Sequence, residues 1–337
     1  MKKCFPLTFL LIVHLVAAQQ RYDVVIDEIM PDPTPQIGLP ASEWIELKNK
    51  SAVAIDLHGW RICDLGSKSG AFPSFVLQPD SFVIITGNAA TTNFLPFGAV
   101  IGVSAFPSLD NNGETIFLQA ADGRVIHAIN YKLDWYPNDL KKEGGWSLEM
   151  RDTNHPCADG DNWTASINQL GGTPGRQNSV NGLSNDNNAP GLLNAFTSDS
   201  VTIHLIFASP LDSSSSTVLT NYAIDHGILF TQVELVPPLF NEAKLTTNTA
   251  LAEKLIYTIR TTGLRDCAGN SLLNEQIITG KPSPVEQEDI IINEILFNPR
   301  TNGYDYVELY NRSDKIIDAS VLSVCNRKTN GTLNAIT

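Results

Sequence analysis

Short runs of hydrophobic residues alternate along the chain with clusters of Gly, Asn, Asp, Ser and Pro. Runs rich in Val, Ile, Phe and Thr between such turn clusters are typical of β-strands. The pattern predicts strands at Val24–Ile29, Trp44–Lys48, Phe82–Thr86, Thr115–Ala120, Val125–Tyr131, Val201–Phe207 and Leu255–Thr261. No long amphipathic helix is indicated, so we predict an all-β fold.

The run Trp44–Lys48 shows the period of two that a strand requires. Ile45 and Leu47 share one face, and the other three residues of the run share the opposite face. Such alternation is typical of a strand with one face on the core and one in water. The pattern therefore predicts that the Trp44 side chain lies on the outer face of its sheet.

An internal repeat is the most informative long-range pattern. Residues 24–33, VVIDEIMPDP, resemble residues 290–299, IIINEILFNP. After a loop that differs by four residues, residues 43–63 resemble residues 305–325. We infer two copies of one domain. The second has only residues 289–337 for its strands, so we expect it to be truncated and the sequence to be a fragment of a longer protein.

Two stretches rich in residues that interrupt strands and helices divide the chain. Residues 178–190 are polar and rich in Gly and Asn, and residues 280–289 contain two prolines. Clusters of this kind mark loops and linkers. The predicted domains are residues 22–180, 187–281 and 289–337.

The N-terminus has the pattern of a secretory signal peptide. Lys2 and Lys3 precede the apolar segment Phe9–Val16, and small residues lead to a cleavage site after Ala18. The apolar segment is shorter than the ~20 residues that span a bilayer. We expect residues 1–18 to be removed, and the rest of the chain, which shows no transmembrane segment, to be secreted or attached to the cell surface.

Composition and charge exclude two classes of protein. Of 337 residues, 42% are hydrophobic and 18% charged, which argues against a disordered chain. The net charge of −13 becomes −15 when the two signal lysines are removed. A protein that neutralises phosphates needs clustered Lys and Arg, so no nucleic-acid partner is expected.

A set of short motifs runs in order through residues 22–180. It comprises Val25–Ile29, Glu43–Asn49, Ile55–Trp60, Phe72-Pro73, Leu77–Pro79, Asn112–Thr115, Asp122–Ile126, Gly145–Glu149, Asn162-Trp163 and Gly171–Gly175. This ordered set resembles the lamin tail domain, which has an immunoglobulin-like β-sandwich fold. The C-terminal copy carries only the opening motifs.

The middle domain resembles the bacterial immunoglobulin-like domains of surface and S-layer proteins. The resemblance rests on Val201–Phe207, Ser209–Asp212, Asn221-Tyr222 and the turn Leu264–Asn270. Together, the two resemblances imply tandem immunoglobulin-like β-sandwiches in an exported bacterial protein.

Export makes disulfide bonds an expectation for the cysteines. Cys4 leaves with the signal peptide, and the remaining four are too far apart in sequence for a zinc motif. We predict one long-range bridge within the first domain, between Cys63 and Cys157. The alternative is that they are separate, buried thiols.

Four glutamates occupy matching positions of the repeat: Glu28 and Glu46 in the first copy, Glu294 and Glu308 in the second. One interpretation is a metal or acid–base pair. The other, which we favour, is that these carboxylates accept hydrogen bonds from neighbouring strands or turn amides.

A second acidic group lies in a Gly-containing loop and consists of Asp152, Asn154, Asp159 and Asp161. Closely spaced oxygen ligands suit Ca²⁺, although the complete EF-hand loop is absent. The alternative is a loop of Asx turns. We expect no other cofactor.

Trp135 and Tyr136 lie in a predicted loop before a proline, where exposed aromatic rings could stack on sugars. This predicts a glycan-binding site. Trp60, Trp146 and Trp163 belong to the family pattern, and we predict them to be core residues.

The sequence contains no G-x-S-x-G, H-E-x-x-H or phosphate-binding glycine motif. We therefore predict a non-enzymatic exported protein whose sandwiches serve as a spacer, adhesion or tethering module, with a surface or extracellular protein or glycan as partner. The alternatives are a glycan- or calcium-binding module and the accessory region of a larger secreted hydrolase or nuclease.

Overall fold

The computed structural model describes residues 19–182, 188–300 and 303–336. The predicted signal peptide lies outside these residues. The chain divides into two compact units. Among the described residues, the first contains 19–156 and 162–182, and the second contains 157–161, 188–300 and 303–336.

The first unit is built from eleven short strands and two single-turn helices. The strands are β1 (Val24–Met30), β2 (Trp44–Asn49), β3 (Ile55–Asp56), β4 (Arg61–Asp64), β5 (Val76–Leu77), β6 (Phe82–Gly87), β7 (Val100–Val103), β8 (Thr115–Gln119), β9 (Val125–Asn130), β10 (Leu148–Met150) and β11 (Trp163–Ala165). The helices are α1 (Thr91–Phe94) and α2 (Asp139–Lys142), with 3-10 turns at Asn88–Ala90 and Leu133–Trp135. In a further 3-10 turn, Asp159–Asn162, only Asn162 belongs to the first unit.

Two sheets of the first unit enclose one core. The larger has the order β11-β10-β1-β2-β6-β7, and the smaller has the order β4-β8-β9, while β3 pairs with β5. Ile26, Leu47 and Val83 of the larger sheet belong to the same buried cluster as Ile62 and Leu118 of the smaller one. The all-β prediction of an immunoglobulin-like sandwich is confirmed. All pairs in the larger sheet are antiparallel except β6 with β7, which is parallel.

The larger sheet is covered on its outer face as well, which corrects the expectation for Trp44. Its side chain is fully buried and packs against Phe94, with ring centroids 6.0 Å apart. The parallel β6–β7 pair requires a crossover connection, and this connection carries α1 across the outer face. Strand alternation alone could not reveal this cover, because it depends on a later part of the chain.

The second unit is also built of strands. They are β12 (Leu192–Thr197), β13 (Thr202–Phe207), β14 (Tyr222–Ile224), β15 (Phe230–Leu235), β16 (Glu242–Thr247), β17 (Tyr257–Thr261), β18 (Leu264–Arg265), β19 (Ser271–Leu272), β20 (Glu275–Thr279), β21 (Ile290–Leu296), β22 (Tyr306–Asn311), β23 (Val324–Arg327) and β24 (Leu333–Ile336). Helix α3 covers Ser213–Ser216, and 3-10 turns lie at Leu219–Asn221 and Ala319–Val321.

A four-stranded sheet, β12-β13-β16-β15, and a three-stranded sheet, β14-β17-β20, contribute to the core of the second unit. Strands β18–β19, β21–β22 and β23–β24 form separate pairs. The predicted boundary between residues 281 and 289 falls inside this unit and stays a prediction.

The repeat found in the sequence is also a repeat of backbone register. Glu28 pairs with Glu46 across β1 and β2, with an irregularity between Ile26 and Glu28. Glu294 pairs with Glu308 across β21 and β22, with an irregularity at the matching place, between Ile292 and Glu294.

Candidate functional site

Three glutamates form a row across the centre of the larger sheet in the first unit. Glu28 on β1 lies opposite Glu46 on β2 and, on its other side, opposite Glu149 on β10. Directly paired residues of neighbouring strands point to the same face of a sheet. All three side chains are fully buried. The register therefore places three carboxyl groups side by side, away from water.

The closing loop, residues 171–180, covers this row and donates hydrogen bonds to it. The Thr173 N–H and the Ser147 hydroxyl donate to Glu28 Oε1 at 2.7 and 2.5 Å. The Thr173 hydroxyl lies 3.1 Å from Glu28 Oε2 and 2.9 Å from Glu149 Oε1. The Gly175 N–H donates to Glu46 Oε2. One short loop thus donates hydrogen bonds to carboxyl groups on three strands.

The far end of the closing loop is held in the same way. The Ser179 hydroxyl and the Val180 N–H donate to Glu149 Oε2 at 2.7 and 3.0 Å. The Asn178 amide donates to the carbonyl oxygens of Asp27 and Met150, both at 2.9 Å. Asn178 therefore ties the irregular position of β1 to β10.

Glycines let the closing loop approach the row so closely. Gly175 has φ +79°, and a Cβ atom there would overlap the carbonyl oxygen of Phe97. A Cβ at Gly172 would lie 2.8 Å from Glu28 Oε1. Positive φ and close backbone approach are the two situations that select glycine. The Gly-Gly-Thr-Pro-Gly pattern at Gly171–Gly175 follows from this geometry.

Burial dominates the electrostatics of the row. It raises the pKa of Glu28 well above 4.5, and the neighbouring Glu149 raises it further, while hydrogen bonds from Ser147 and Thr173 oppose the shift. Burial, then the charges of Glu28 and Asp27, likewise raise the pKa of Glu46. Glu28 and Glu46 therefore keep their protons at pH values where an exposed Glu has lost them.

Asp27, at the irregular position of β1, adds a fourth buried acid. Burial raises its pKa to about 7, although the charge of Lys48 lowers it. Within the described residues, Asp27 Oδ1 and Glu46 Oε1 are buried and have no hydrogen-bond partner. Because an unpaired buried charge is costly, these two atoms favour the neutral acids.

Of the two interpretations of the repeated glutamates, the structure favours the second. Glu28 and Glu46 accept hydrogen bonds from turn amides of the closing loop. In the described parts of the chain, no group of three or more His, Cys, Asp or Glu side chains could hold a metal ion. The row acts as an internal clamp that fastens the closing loop to the sheet.

His127 on β9 is a further buried polar group that ties separate segments of the first unit together. Its Nδ1 accepts the Ile26 N–H at 2.8 Å. With Nδ1 as acceptor, neutral imidazole carries its proton on Nε2, which lies 3.0 Å from the Pro156 carbonyl oxygen. Burial lowers the pKa of His127 to about 4, so it is neutral at physiological pH.

The cysteine prediction was wrong about the partner of Cys157. Cys157 is bonded to Cys267, which lies 110 positions further along the sequence, with Cα atoms 6.0 Å apart. Cys63 is a buried free thiol on β4, and Cys325 is an exposed one. The reason is tertiary: residues 157–161 belong to the second unit, which also contains Cys267.

The four predicted calcium ligands are divided between the two units. Asp152 and Asn154 belong to the first unit, and Asp159 and Asp161 to the second. The Asp152 carboxylate accepts the Asn154 N–H at 2.9 Å and lies 3.0 Å from His155 Nδ1. The first of these contacts is the Asx turn of the alternative interpretation.

The predicted glycan-binding aromatics are largely covered. Tyr136 is buried, and its hydroxyl donates to the Trp146 carbonyl oxygen at 3.0 Å. Trp135 is half-buried and stacks on Trp163, with ring centroids 5.9 Å apart. Both rings pack against the core of the first unit, and the glycan-binding site stays a prediction.

One constellation in the second unit was missed by sequence analysis. His204 Nδ1 lies 2.5 Å from Glu242 Oε1, and His204 Nε2 lies 2.9 Å from the Ser198 hydroxyl. Phe196 stacks on the imidazole at 4.7 Å. Only strand pairing brings the three polar residues together, since Glu242 is 38 residues beyond His204. No local motif could have indicated it.

A family comparison covers much of the first unit. Residues 17–132 match the model of the Lamin Tail Domain. The matched lamin tail segment contains Glu28 and Glu46, whereas Glu149 and the closing loop follow it in sequence. A search of curated proteins found no match.

Solved structures of bacterial surface-layer proteins were also matched, over 43% of this chain. The N-terminal part of the bacterial S-layer protein SbsC is 21% identical, with a TM-score of 0.27 and 37% of that structure covered. The S-layer protein fragment rSbsC(31-844) is 20% identical, with a TM-score of 0.28 and 22% covered. Similarity at this level carries no functional argument. Separately, none of the helices in the described residues is long and apolar enough to cross a membrane.

Proposed function

We propose that this chain is a non-catalytic structural part of an exported protein, in which β-sandwiches serve as a spacer or tether at the cell surface or outside the cell. The observation that carries the proposal is the Cys157–Cys267 disulfide. Such bonds persist in oxidising compartments and are rare in the cytosol. The signal-peptide pattern of residues 1–18 supports the same location.

The use of polar groups in the first unit also supports a structural role. Glu28, Glu46 and Glu149 are buried and engaged by the closing loop. A spacer needs segments that stay attached under load or proteolysis, and a buried hydrogen-bonded clamp supplies this. By the loop-entropy model, a bridge over a loop of 110 residues stabilises a fold by roughly 4–5 kcal/mol.

Force spectroscopy of the chain, purified from an oxidising compartment, tests the proposal. An intact bridge prevents extension of the segment between the two cysteines, which are 110 positions apart in sequence, so the fully extended chain is shorter by about 36–40 nm. Cys267→Ser restores the full length. Cys325→Ser, at an exposed free thiol, is the matched control and leaves the shortfall unchanged.

Peptide mapping without reductant identifies the disulfide bond chemically and complements the force measurement. We expect one linked peptide pair that contains Cys157 and Cys267, and free thiols at Cys63 and Cys325. If exported protein carries four free thiols, the observation that supports an extracellular structural role is lost. Efficient unfolding at low force, with the bridge intact, would contradict the spacer role itself.

A further inference from the structure

The closing loop brings little apolar surface to the sheet that it covers. Pro174 and Val180 are the only nonpolar residues larger than glycine among residues 171–180. The N–H groups of Thr173, Gly175 and Val180 each donate to a different glutamate of the row. Because burial of apolar surface contributes little here, the attachment of the loop depends on the carboxyl groups that it contacts.

No cation neutralises these carboxyl groups. The charged side chains of the elements packed against the row, apart from the acids themselves, are those of Lys48, Lys50, Asp80, Lys141 and Arg176. Lys48 is paired with Asp80 at 3.1 Å, and Arg176, in the closing loop, is exposed. In the described parts of the chain, no Lys, Arg or His lies within ion-pair distance of Asp27, Glu28, Glu46 or Glu149.

The placement of the acids opposes their ionisation while the loop is closed. Glu28 lies directly between Glu46 and Glu149, and Asp27 Oδ1 and Glu46 Oε1 are buried without a hydrogen-bond partner. Like charges so close together, away from water and without a cation, disfavour one another. Burial accordingly raises the pKa of Asp27 to about 7 and that of Glu46 well above 4.5.

We propose that the closing loop is a pH-operated latch, which is closed while the buried acids are protonated and opens increasingly as the pH rises towards neutrality. When the loop leaves the sheet, water reaches Asp27, Glu28 and Glu46, and these groups ionise and release their protons. Gly171 and Gly175, both at positive φ, can take up the change in backbone angles that opening requires.

The direction of the pH dependence follows from linkage. An acid whose pKa is raised in the closed state stabilises that state fully below its ordinary pKa, and this stabilisation is lost as pH rises through the raised pKa. For Glu28 and Glu46 the ordinary value is 4.5, and for Asp27 the raised value is about 7. Between these values, each proton released on opening raises the opening constant by roughly tenfold per pH unit.

Opening can be local, because the row and the main core lie on opposite faces of the sheet. Ile45 and Leu47 belong to the core cluster, whereas Glu46, between them on β2, contacts the closing loop. The pairing of β2 with β1 and β6 does not involve the loop. The loop can therefore leave at a lower cost than unfolding of the sheet. The latch is a property of the first unit and does not depend on the spacer role.

Hydrogen exchange of the unsubstituted full chain at pH 5, 6 and 7 tests the latch. The Thr173, Gly175 and Val180 amides are direct reporters, because each donates to a carboxyl group of the row. After correction for the intrinsic pH dependence of exchange, we expect their protection to fall by roughly tenfold or more per pH unit. The amides of β2 and β6 should remain better protected at every pH, since they open only with the whole sheet.

Glu28→Gln removes one ionisable group and should make the fall in protection smaller by roughly tenfold per pH unit. Glu143→Gln, at an exposed site, is the matched control and keeps the dependence of the parent chain. The proposal is overturned if Glu28→Gln leaves the dependence unchanged. It is also overturned if the loop amides of the unsubstituted chain are as protected at pH 7 as at pH 5, or never exchange faster than those of β2 and β6. These last two results do not require that a variant folds.

Discussion

The Thr173 N–H donates a hydrogen bond of 2.7 Å to Glu28 Oε1, across 145 residues of sequence. The Thr173 hydroxyl contacts both Glu28 and Glu149, at 3.1 and 2.9 Å. This one residue therefore joins the closing loop to two strands of the sheet. All three residues are buried. Thr173 therefore provides the main contact that attaches the closing loop to β1 and β10.

Thr173→Val tests that role, since valine keeps the shape and the backbone N–H but removes the hydroxyl. Loss of a hydroxyl that binds buried carboxyl groups should lower the free energy of unfolding by about 1–3 kcal/mol. Urea denaturation measures this difference. Thr92→Val, at an exposed site, should change stability little. Equal effects of the two substitutions would show that the clamp is not specific.

Gly175→Ala should destabilise the protein by more than the cost of placing alanine at a positive φ. An added Cβ would overlap the Phe97 carbonyl oxygen, whereas a Cβ at Gly123, with φ +90°, meets nothing within 4 Å. The left-handed conformation costs a non-glycine residue roughly 1–2 kcal/mol, and Gly123→Ala isolates this cost. We expect a lower melting temperature for Gly175→Ala than for Gly123→Ala; identical values would rule out the close approach.

The raised pKa of Glu46 makes stability depend on pH in a defined direction. A group with a pKa above its unfolded value of 4.5 contributes stability below pH 4.5, and this is lost as pH rises through the raised pKa. Glu46→Gln keeps an oxygen acceptor for the Gly175 N–H but cannot ionise. We expect the variant to gain stability over the parent chain at pH 8, and the gain to shrink towards pH 4.

Urea titrations at pH 4, 6 and 8 measure the dependence. Glu143→Gln, at an exposed site, is the matched control and should follow the parent chain at every pH. A difference between Glu46→Gln and the parent chain that does not change with pH would mean that the pKa of Glu46 is the same in the folded and unfolded chain, which would contradict the prediction.

His127 should make the free energy of unfolding depend on pH in the opposite direction to Glu46. Burial lowers its pKa from 6.5 to about 4. Its contribution to folding stability is therefore present above pH 6.5 and is lost as pH falls through about 4. Nitrogen NMR should show a neutral ring protonated at Nε2, because Nδ1 accepts the Ile26 N–H. A ring that titrates near pH 6.5 in the folded chain would contradict this assignment.

The Ser198–His204–Glu242 constellation gives the sharpest test of the non-catalytic proposal. The Ser198 N–H is used within its turn, where it donates to the Thr202 carbonyl oxygen at 3.3 Å, so it does not serve as an oxyanion donor. We expect a fluorophosphonate probe to label the native chain no more than Ser198→Ala. Labelling that both Ser198→Ala and His204→Gln abolish would instead show an activated nucleophile.

Much of the fold follows from local patterns. Hydrophobic runs predicted the central strands to within about two residues, as for Phe82–Thr86, observed as Phe82–Gly87. The repeat predicted which glutamates would occupy matching positions of two strand pairs, because similar sequences adopt similar strand register. The resemblance also identified Gly171–Gly175, and the structure explains it by the approach of this loop to the row.

The sequence by itself determined the β architecture, the repeat and the glutamates that it aligns, because strand period and turn chemistry act over a few residues. Only the tertiary structure decided the partner of Cys157, the burial of Trp44 and Tyr136, and the pairing of Glu28 with Glu149. Each depends on segments far away in sequence. Disulfide pairing and burial follow from which chain segments come together in space, and the spacing of residues along a single chain does not specify this.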